Sequence, residues 1–143
     1  MRRDYKILCG IDFSEHSKRA LREALLLREK FDGTLILIHV VPSLDRLGEF
    51  NFPMGFREEY EKQILYHSQG KMDELKQEIK NEKIKFEIIH GDPALEIIKY
   101  AKEEGINVIV IGSHGAKSIH ERIFGSIAEK ILKLSDCPVL VVK

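Results

Sequence analysis

The sequence is poor in several residue types and has no excess of charge of either sign. Tryptophan is absent, cysteine occurs twice, and Lys plus Arg and Asp plus Glu both number 23 in 143 residues, so the formal net charge is zero. Proteins that bind nucleic acids by neutralising phosphates normally carry a basic excess. The balanced charge therefore argues against a nucleic-acid partner.

Long apolar runs are also missing. No apolar segment approaches the roughly 20 residues needed to span a bilayer, and the charged start of the chain leads into a short apolar segment that does not resemble an export signal. Cys9 and Cys137 are far apart and lie in or beside predicted buried strands, where free thiols are common, so a redox pair is not favoured. We therefore expect a cytoplasmic protein with no membrane partner.

Motifs for metals and the common phosphate loops are absent as well. The six histidines form neither an HExxH motif nor a cluster with cysteine, and His39, inside an apolar strand, is predicted to be a core histidine with satisfied hydrogen bonds. Residues 112–118 contain Lys117 followed by serine, as a P-loop does, but Ala116 stands where a P-loop requires glycine. A GxGxxG dinucleotide motif is absent too. A metal held directly by side chains is therefore not expected.

What the sequence does contain is a regular alternation of apolar strands and amphipathic helices. Strands are predicted at residues 6–11, 34–41, 84–88, 108–111 and 138–142. Four helices are predicted between them. The first begins at Ser14, the second covers residues 57–81, and the third begins at Asp92 and Pro93. The fourth carries Ile127, Ile131 and Leu134. This alternation predicts a single doubly wound α/β domain over residues 1–143, with a five-stranded parallel sheet and helices on both faces.

Two of these helices have a recognisable apolar face. The first is predicted to end at Gly33 and to bury a stripe formed by Ala20, Leu21, Ala24, Leu25 and Phe31. The second is highly charged but keeps helical spacing at Tyr60, Ile64, Met72, Leu75 and Ile79. Its charges are interpreted as a solvated face.

Residues 43–56 contain glycine and proline and are predicted to form an irregular insert. This insert also carries four large apolar side chains, Phe50, Phe52, Met54 and Phe56. Apolar residues in such a loop either fold back onto the core or cover a ligand or a partner. Both alternatives stay open on the sequence.

The segment after the fourth strand has the composition of a phosphate-binding loop. It consists of Gly112-Ser113-His114-Gly115, nine further residues, and then Gly125-Ser126 at the start of a helix. Ligands of doubly wound folds bind beyond the carboxyl ends of the strands. Glycines let backbone N–H groups approach phosphate oxygens, and a helix N-terminus adds N–H donors and a positive dipole. The pattern therefore favours phosphate binding.

The spacing Gly-x2-Gly-x9-Gly-Ser resembles the ATP-binding signature of the universal stress protein family. Other segments are similar to that family in the same order: residues 7–14 to its strand-one turn, 37–41 to its strand-two ending, 91–93 to its third helix start and 138–142 to its final strand. The resemblance covers essentially the whole chain. It implies the adenine nucleotide alpha hydrolase-like form of the predicted fold.

The resemblance also implies binding roles for particular residues. Asp12 would contact the adenine or the ribose, Gly10 and Ile11 would line the base, and Val40 would present its backbone to the adenine edge. The residues implied around the ribose and inner phosphates are Gly112, Ser113, His114 and Gly115. Those implied at the outer phosphates are Gly125, Ser126 and Ile127. Simpler roles stay open, because Asp12 could cap the first helix alongside Ser14 and the glycines could only form turns.

The function implied by the resemblance is a regulatory protein that binds ATP, with ADP or AMP as alternatives and Mg²⁺ or Mn²⁺ bound through the phosphates. A homodimer paired along the last strand and an unidentified protein partner are implied as well. The alternatives are a slow ATPase or other adenine-nucleotide-processing enzyme, and an interaction module that binds no nucleotide. Transferases of the wider group are expected to carry an SGGxDS-type loop after strand one, which residues 12–15 do not supply.

Overall fold

The computed structural model describes residues 3–44, 52–81, 83–114 and 124–143. Along the chain the elements are β1 (Lys6–Gly10), α1 (Glu15–Phe31), β2 (Thr34–Pro42), α2 (Phe56–Glu78), β3 (Ile84–Gly91), α3 (Pro93–Glu103), β4 (Val108–Gly112), α4 (Ser126–Leu134) and β5 (Val139–Val142). The predicted alternation of strands and helices is confirmed. The second helix ends three residues before the predicted residue 81.

The strands form one five-stranded sheet in the order β3-β2-β1-β4-β5, and all neighbouring pairs are parallel. Strand β1 is central, and the chain winds outward from it in one direction through β2 and β3 and in the other through β4 and β5. The predicted doubly wound α/β fold is therefore confirmed. In such a sheet the point where the strand order reverses lies between β1 and β4, and ligands bind at its carboxyl edge.

Helices cover both faces of the sheet, because successive strand residues point to opposite sides and both sets are apolar. One core cluster joins β1, β2 and β4 to α1 and α2, and its buried members include Cys9, Leu37, Val110, Ala20, Ala24 and Met72. The other joins the same strands to α3 and α4, and its buried members include Leu8, Ile38, Ile109, Ile97, Ala128 and Ile131.

Two helix starts form as the sequence predicts. The Ser14 hydroxyl accepts a hydrogen bond from the Ser17 N–H at 3.3 Å and caps α1. Asp92 caps α3 by accepting from the Leu95 N–H at 2.9 Å, and Pro93 occupies the first helical position. Both caps satisfy backbone donors that the first turn of a helix leaves without a partner.

The end of α1 differs from the prediction in two respects. The helix ends at Phe31, and the residue that caps it, in a left-handed conformation with φ 49°, is Asp32 and not the predicted Gly33. Gly33 is needed for a different reason, since a Cβ atom there would collide with the backbone oxygen of Tyr5. Phe31 is not part of the buried stripe: it is 51% exposed and stacks on Tyr5 with ring centroids 4.3 Å apart.

Helix α2 is mostly solvent-exposed, as its charge predicts. Its buried side chains are Ser68, Met72 and Leu75, whereas Tyr60 is 42% exposed. The apolar contact with the core is therefore confined to the second half of the helix.

The insert lies partly outside the described residues, which exclude 45–51 and with them Phe50. Phe52 stacks on Phe56 with centroids 5.2 Å apart, and Phe56 stacks on Tyr60 at 6.0 Å. Met54 is fully exposed. These described aromatic side chains contact one another and do not join either core cluster.

The two cysteines are free. Cys9 is completely buried in β1, and burial raises the pKa of its thiol to about 12, so this thiol stays protonated and unreactive in the folded protein. Cys137 is half-buried after α4.

No helix of the described chain has the length and apolar composition required to cross a membrane.

Candidate functional site

The predicted site residues that the structure describes lie at the carboxyl edge of the sheet. Strand β1 lies between β2 and β4, with Gly10 opposite Ile38 and Cys9 opposite Val110. Asp12 therefore leaves β1 with the end of β2 on one side and the end of β4 on the other. This is the point where the strand order reverses.

Residues 11–14, which we call the strand-one turn, have an unusual backbone. The Ile11 N–H donates to the Ile38 carbonyl at 2.9 Å, which extends the β1 pairing by one residue. Phe13 then adopts φ 65°, a left-handed conformation that costs a non-glycine residue about 1 kcal/mol or more. The Phe13 ring packs on the His39 ring, with centroids 4.8 Å apart, and the Lys71 ammonium lies 5.6 Å from the Phe13 centroid. These contacts hold the strained turn in place.

The carboxylate of Asp12 is oriented by the residue that caps α1. Its Oδ1 atom accepts hydrogen bonds from the Ser14 N–H at 3.0 Å and from the Ser14 hydroxyl at 2.5 Å. Ser14, not Asp12, accepts from the first turn of the helix. Asp12, two residues before the cap, therefore supports it by holding Ser14. Its half-buried side chain is fixed at the carboxyl edge of the sheet.

His39 lies beneath this turn and has partners at both ring nitrogens. Nδ1 lies 2.7 Å from the Ile11 carbonyl oxygen, and Nε2 lies 3.2 Å from the Ser68 hydroxyl on α2. Burial lowers the pKa of His39, while the hydrogen bond to Ile11 and the charge of Asp12 act in the opposite direction. The predicted hydrogen-bond satisfaction of this histidine is confirmed, but His39 is half-buried and is not a fully buried core residue.

Two of the residues expected around the base are almost completely buried. Ile11 and Val40 are 3% and 7% exposed as whole residues and belong to the core. A Cβ atom on Gly10 would lie 2.9 Å from Cδ1 of Ile97 on α3. Gly10 is therefore explained by the close approach of α3 to the sheet.

At the end of β4, glycine is also required by packing. A Cβ atom on Gly112 would lie 2.8 Å from the carbonyl carbon of His16, so this glycine lets α1 approach the strand. Ser113 is 1% exposed, and its N–H donates to the Val142 carbonyl at 2.8 Å. Its hydroxyl lies 3.0 Å from Nδ1 of His114, whose ring lies 5.2 Å from that of His16. Gly115 lies outside the described residues.

The start of α4 presents backbone donors. Gly125 has φ −71° and ψ 166°, an extended conformation open to any residue, and its N–H donates to the Ser113 carbonyl at 2.6 Å. No side-chain cap from the described residues bonds the first turn of α4, and Ser126 and Ile127 are exposed. The N–H groups at the start of a helix have no partner within the helix and attract anions.

Sequence reasoning missed two serines that hold the strand-one turn. The Ser17 hydroxyl accepts from the Asp12 N–H at 3.3 Å, and the Ser68 hydroxyl contacts His39. Both serines are 4% exposed. For Ser68 a signal exists, because it precedes Met72 and Leu75 at the four- and seven-residue spacing of one helix face.

A depression lies elsewhere on the described surface, away from the predicted site residues. It has a volume of about 730 Å³ and is lined by Arg28, Asp32, Lys80, Asn81 and Lys83. It is wide open, and Lys83 forms an ion pair with Asp32. We favour the carboxyl edge, because a fixed carboxylate and a helix N-terminus lie at the reversal of the strand order there. Within the described residues, no three His, Cys, Asp or Glu side chains are grouped so that they could hold a metal ion.

Comparison with known proteins gives a consistent result. The sequence profile described as the Universal stress protein family matches residues 5–143. Universal stress protein MJ0577 of Methanocaldococcus jannaschii is 32% identical, and the alignment covers 96% of this chain and 94% of that protein. Universal stress protein YxiE of Bacillus subtilis is also 32% identical, with 96% and 98% covered.

Solved structures share the fold. Universal stress protein UspA from Lactobacillus plantarum superposes with a TM-score of 0.83 at 23% identity, with 100% of both chains covered. A universal stress protein in complex with cAMP gives a TM-score of 0.61 at 21% identity, covering 97% of this chain and 96% of that one. The Archaeoglobus fulgidus universal stress protein in complex with dAMP gives 0.67 at 19% identity, with 100% of both chains covered. The chain described here belongs to the universal stress protein family.

Proposed function

We propose that this protein binds ATP at the carboxyl edge of the sheet and acts in the stress response as a nucleotide-dependent binding module formed by residues 1–143. One observation carries the proposal: a carboxylate fixed by hydrogen bonds and a helix start without a described side-chain cap lie at the reversal of the strand order. We expect the protein to act in the cytoplasm and to signal through a protein partner.

The strand-one turn would bind the nucleoside. Asp12, held by Ser14, would accept a hydrogen bond from the ribose or the adenine. The backbones of Gly10, Ile11 and Val40 would border the base, because the last two side chains are buried in the core. A ligand that meets groups already fixed in position loses less free energy to ordering them.

The end of β4 and the start of α4 would bind the phosphates. His114 follows the buried Ser113, whose carbonyl accepts the hydrogen bond from Gly125 and so joins the two segments. The N–H and the hydroxyl of Ser126, together with the N–H of Ile127, would meet the outer phosphates, as helix N-termini commonly do. The remaining residues assigned to the phosphates are Gly112, Gly115 and Gly125. Mg²⁺ or Mn²⁺ would be held through the phosphate oxygens.

The related structures support an adenine ligand. Those with cAMP and dAMP contain adenine nucleotides. Adenine is common to both ligands, and it belongs to the part of the nucleotide that we assign to the strand-one turn. ADP and AMP are the alternatives to ATP.

We propose binding without efficient catalysis. Phosphoryl transfer requires a held metal, a positioned nucleophile and positive charge at the γ-phosphate. We assign the Asp12 carboxylate, whose Oδ1 accepts two hydrogen bonds from Ser14, to the nucleoside end and not to that metal. We therefore expect turnover well below about 1 s⁻¹, the lower end of the typical enzyme range.

We also propose a homodimer paired along β5, an edge strand of the sheet. Edge strands with apolar side chains pair with other chains unless they are covered. Leu140 is 37% exposed, whereas Val139 and Val141 pack on the core. Leu140→Lys should therefore give monomers in light scattering without the loss of stability expected from Val141→Lys. A monomeric wild type at micromolar concentration would overturn the dimer.

The nucleotide that co-purifies with the protein tests the proposed function. The purified protein is denatured, and the released small molecules are identified by mass. We expect ATP, ADP or AMP at a substantial fraction of the protein concentration.

Phosphate release from ATP is then measured with Mg²⁺ or Mn²⁺, with Gly125→Val as the control for contaminating activity. Multiple turnovers near 1 s⁻¹ that the variant loses would favour the ATPase alternative.

A further inference from the structure

We propose that His39 is a positioning residue for the nucleoside end of the site. It would fix the peptide group between Ile11 and Asp12, and Ser68 of α2 would fix the His39 ring in turn. The inference rests on the proposed function, because it concerns the same carboxyl edge. It assigns a role to a half-buried side chain that is not expected to touch the nucleotide.

The hydrogen bonds determine which ring nitrogen carries the proton. A carbonyl oxygen can only accept, so the 2.7 Å contact with Ile11 requires a proton on Nδ1 of His39. In the neutral ring Nε2 is then an acceptor, and the Ser68 hydroxyl donates to it at 3.2 Å. The 4% exposure of Ser68 keeps this hydroxyl away from water. The ring therefore has one orientation that satisfies both partners.

The peptide group before Asp12 is held at both ends. His39 donates to its carbonyl oxygen, which belongs to Ile11, and its N–H, which belongs to Asp12, donates to the Ser17 hydroxyl at 3.3 Å. The preceding peptide is fixed by the hydrogen bond from the Ile11 N–H to Ile38. The direction in which the Asp12 side chain leaves the backbone depends on this peptide plane. Loss of the His39 bond would let the plane rotate and displace the carboxylate.

Helix α2 reaches the strand-one turn through two side chains on one face. Ser68 holds the His39 ring, and Lys71, three residues later, lies over the ring of Phe13. Phe13 in turn packs on His39. Since Phe13 is in a left-handed conformation, the turn depends on such contacts to stay in place.

Two amide substitutions separate the two ends of the imidazole. The amide nitrogen of asparagine occupies the place of Nδ1, so His39→Asn can still donate to Ile11 but does not reach Ser68. The amide of glutamine reaches the place of Nε2, so His39→Gln can still contact Ser68 but not Ile11. Both variants remove the ring and its contact with Phe13. The two variants therefore differ in which of the two hydrogen bonds of the imidazole they keep, and only His39→Asn keeps the bond to Ile11.

We expect His39→Gln to weaken the binding of adenosine and of ATP by the same factor, about tenfold, the upper range for one neutral hydrogen bond. His39→Asn should stay within about threefold of the wild type. Calorimetric titration measures both affinities, and thermal unfolding measures the stability of each variant. Equal losses in the two variants, or losses that follow the melting temperature, would overturn the positioning role.

A measurement without nucleotide separates this proposal from the proposed function. In ¹H–¹⁵N spectra of the free protein, the amide signals of Asp12 and Ser14 should move further in His39→Gln than in His39→Asn. Unmoved signals in the glutamine variant would overturn the positioning role even if the wild type binds ATP. A wild type that binds neither adenosine nor ATP would instead overturn the proposed function, and the nucleoside role of His39 with it.

Discussion

The two ends of the proposed site are built in different ways. At the strand-one turn, the Asp12 carboxylate is held in place by neighbouring residues. Ser14 orients the carboxylate, and the side chains of His39 and Ser17 hold the peptide group before Asp12. At the start of α4 the available groups are backbone N–H groups without a described side-chain cap. Recognition of the nucleoside should therefore be sensitive to the removal of single side chains. Recognition of the phosphates should instead be sensitive to added volume beside the backbone.

The largest expected effect is at the phosphate end. Gly125→Val, and separately Gly115→Val, should reduce ATP affinity about a hundredfold or more, or roughly 2.7 kcal/mol, because a branched side chain would keep the phosphates from the backbone. The extended backbone of Gly125 accepts valine, so the fold should survive. Calorimetric titration with circular dichroism as the folding control measures the effect. Adenosine affinity should stay unchanged, and undiminished ATP affinity in both folded variants would remove the phosphate assignment.

A smaller effect is expected at the nucleoside end. Asp12→Ala should weaken adenosine and ATP by the same factor, corresponding to about 1.5–3 kcal/mol for a hydrogen bond to a charged group. Asp12→Asn keeps the shape and an acceptor for Ser14, and so provides the matched control. The same titrations test this. A loss for ATP without a loss for adenosine would mean that Asp12 acts near the phosphates or a metal.

Replacement of Gly10 and of Gly112, the last residues of β1 and β4, by alanine should lower the stability of the fold by different amounts. Gly112→Ala places a methyl group against the His16 backbone and should lower the free energy of unfolding by about 1–3 kcal/mol. Gly10→Ala meets Cδ1 of Ile97, the far end of a flexible side chain, and should cost less. Urea unfolding compares the two variants. Equal losses of unfolding free energy in the two variants would mean that the backbone of α1 moves away from residue 112 as easily as the Ile97 side chain moves away from residue 10.

The smallest effect concerns pH. Because the pKa of His39 is lowered by burial, the unfolded chain takes up a proton at this residue more readily than the folded protein does. The stability contributed by the neutral ring is present above the ordinary pKa of histidine, near 6.5, and is lost as the pH falls through the lower folded value. The stability difference between the wild type and His39→Asn should therefore shrink from pH 7.5 to acidic pH. Urea unfolding curves of both proteins, recorded at pH 7.5 and at an acidic pH, measure this stability difference. A difference that is the same at the two pH values would contradict the lowered pKa of His39.

Much of the fold follows from local sequence patterns. Residues 34–41 are almost continuously apolar and 108–111 entirely so, as is typical of strands buried on both faces. Ser14 and Asp92 mark helix starts by their capping chemistry. The position of the site at the carboxyl edge follows from the order of the strands.

What could not be predicted depends on contacts between distant residues. Phe31 has the spacing of a buried residue, yet Tyr5, from the segment before β1, offers it an exposed stacking surface. His39 meets Ser68 across 29 residues of sequence, and Gly112 meets the backbone of His16. No local pattern contains these pairs. These long-range contacts fix the side chains and backbone of the proposed site, whereas its position at the carboxyl edge depends on the strand order alone.

Titration of the wild-type protein with nucleotides tests the central claim most directly. Calorimetry is run with ATP, with adenosine and with GTP in the presence of Mg²⁺, on protein from which any co-purified nucleotide has been removed. We predict that ATP binds at one site per chain, that adenosine binds more weakly at the same site, and that GTP binds much more weakly than ATP. No binding of ATP, or equal binding of ATP and GTP, would contradict the assignment of the carboxyl edge as an adenine-nucleotide site.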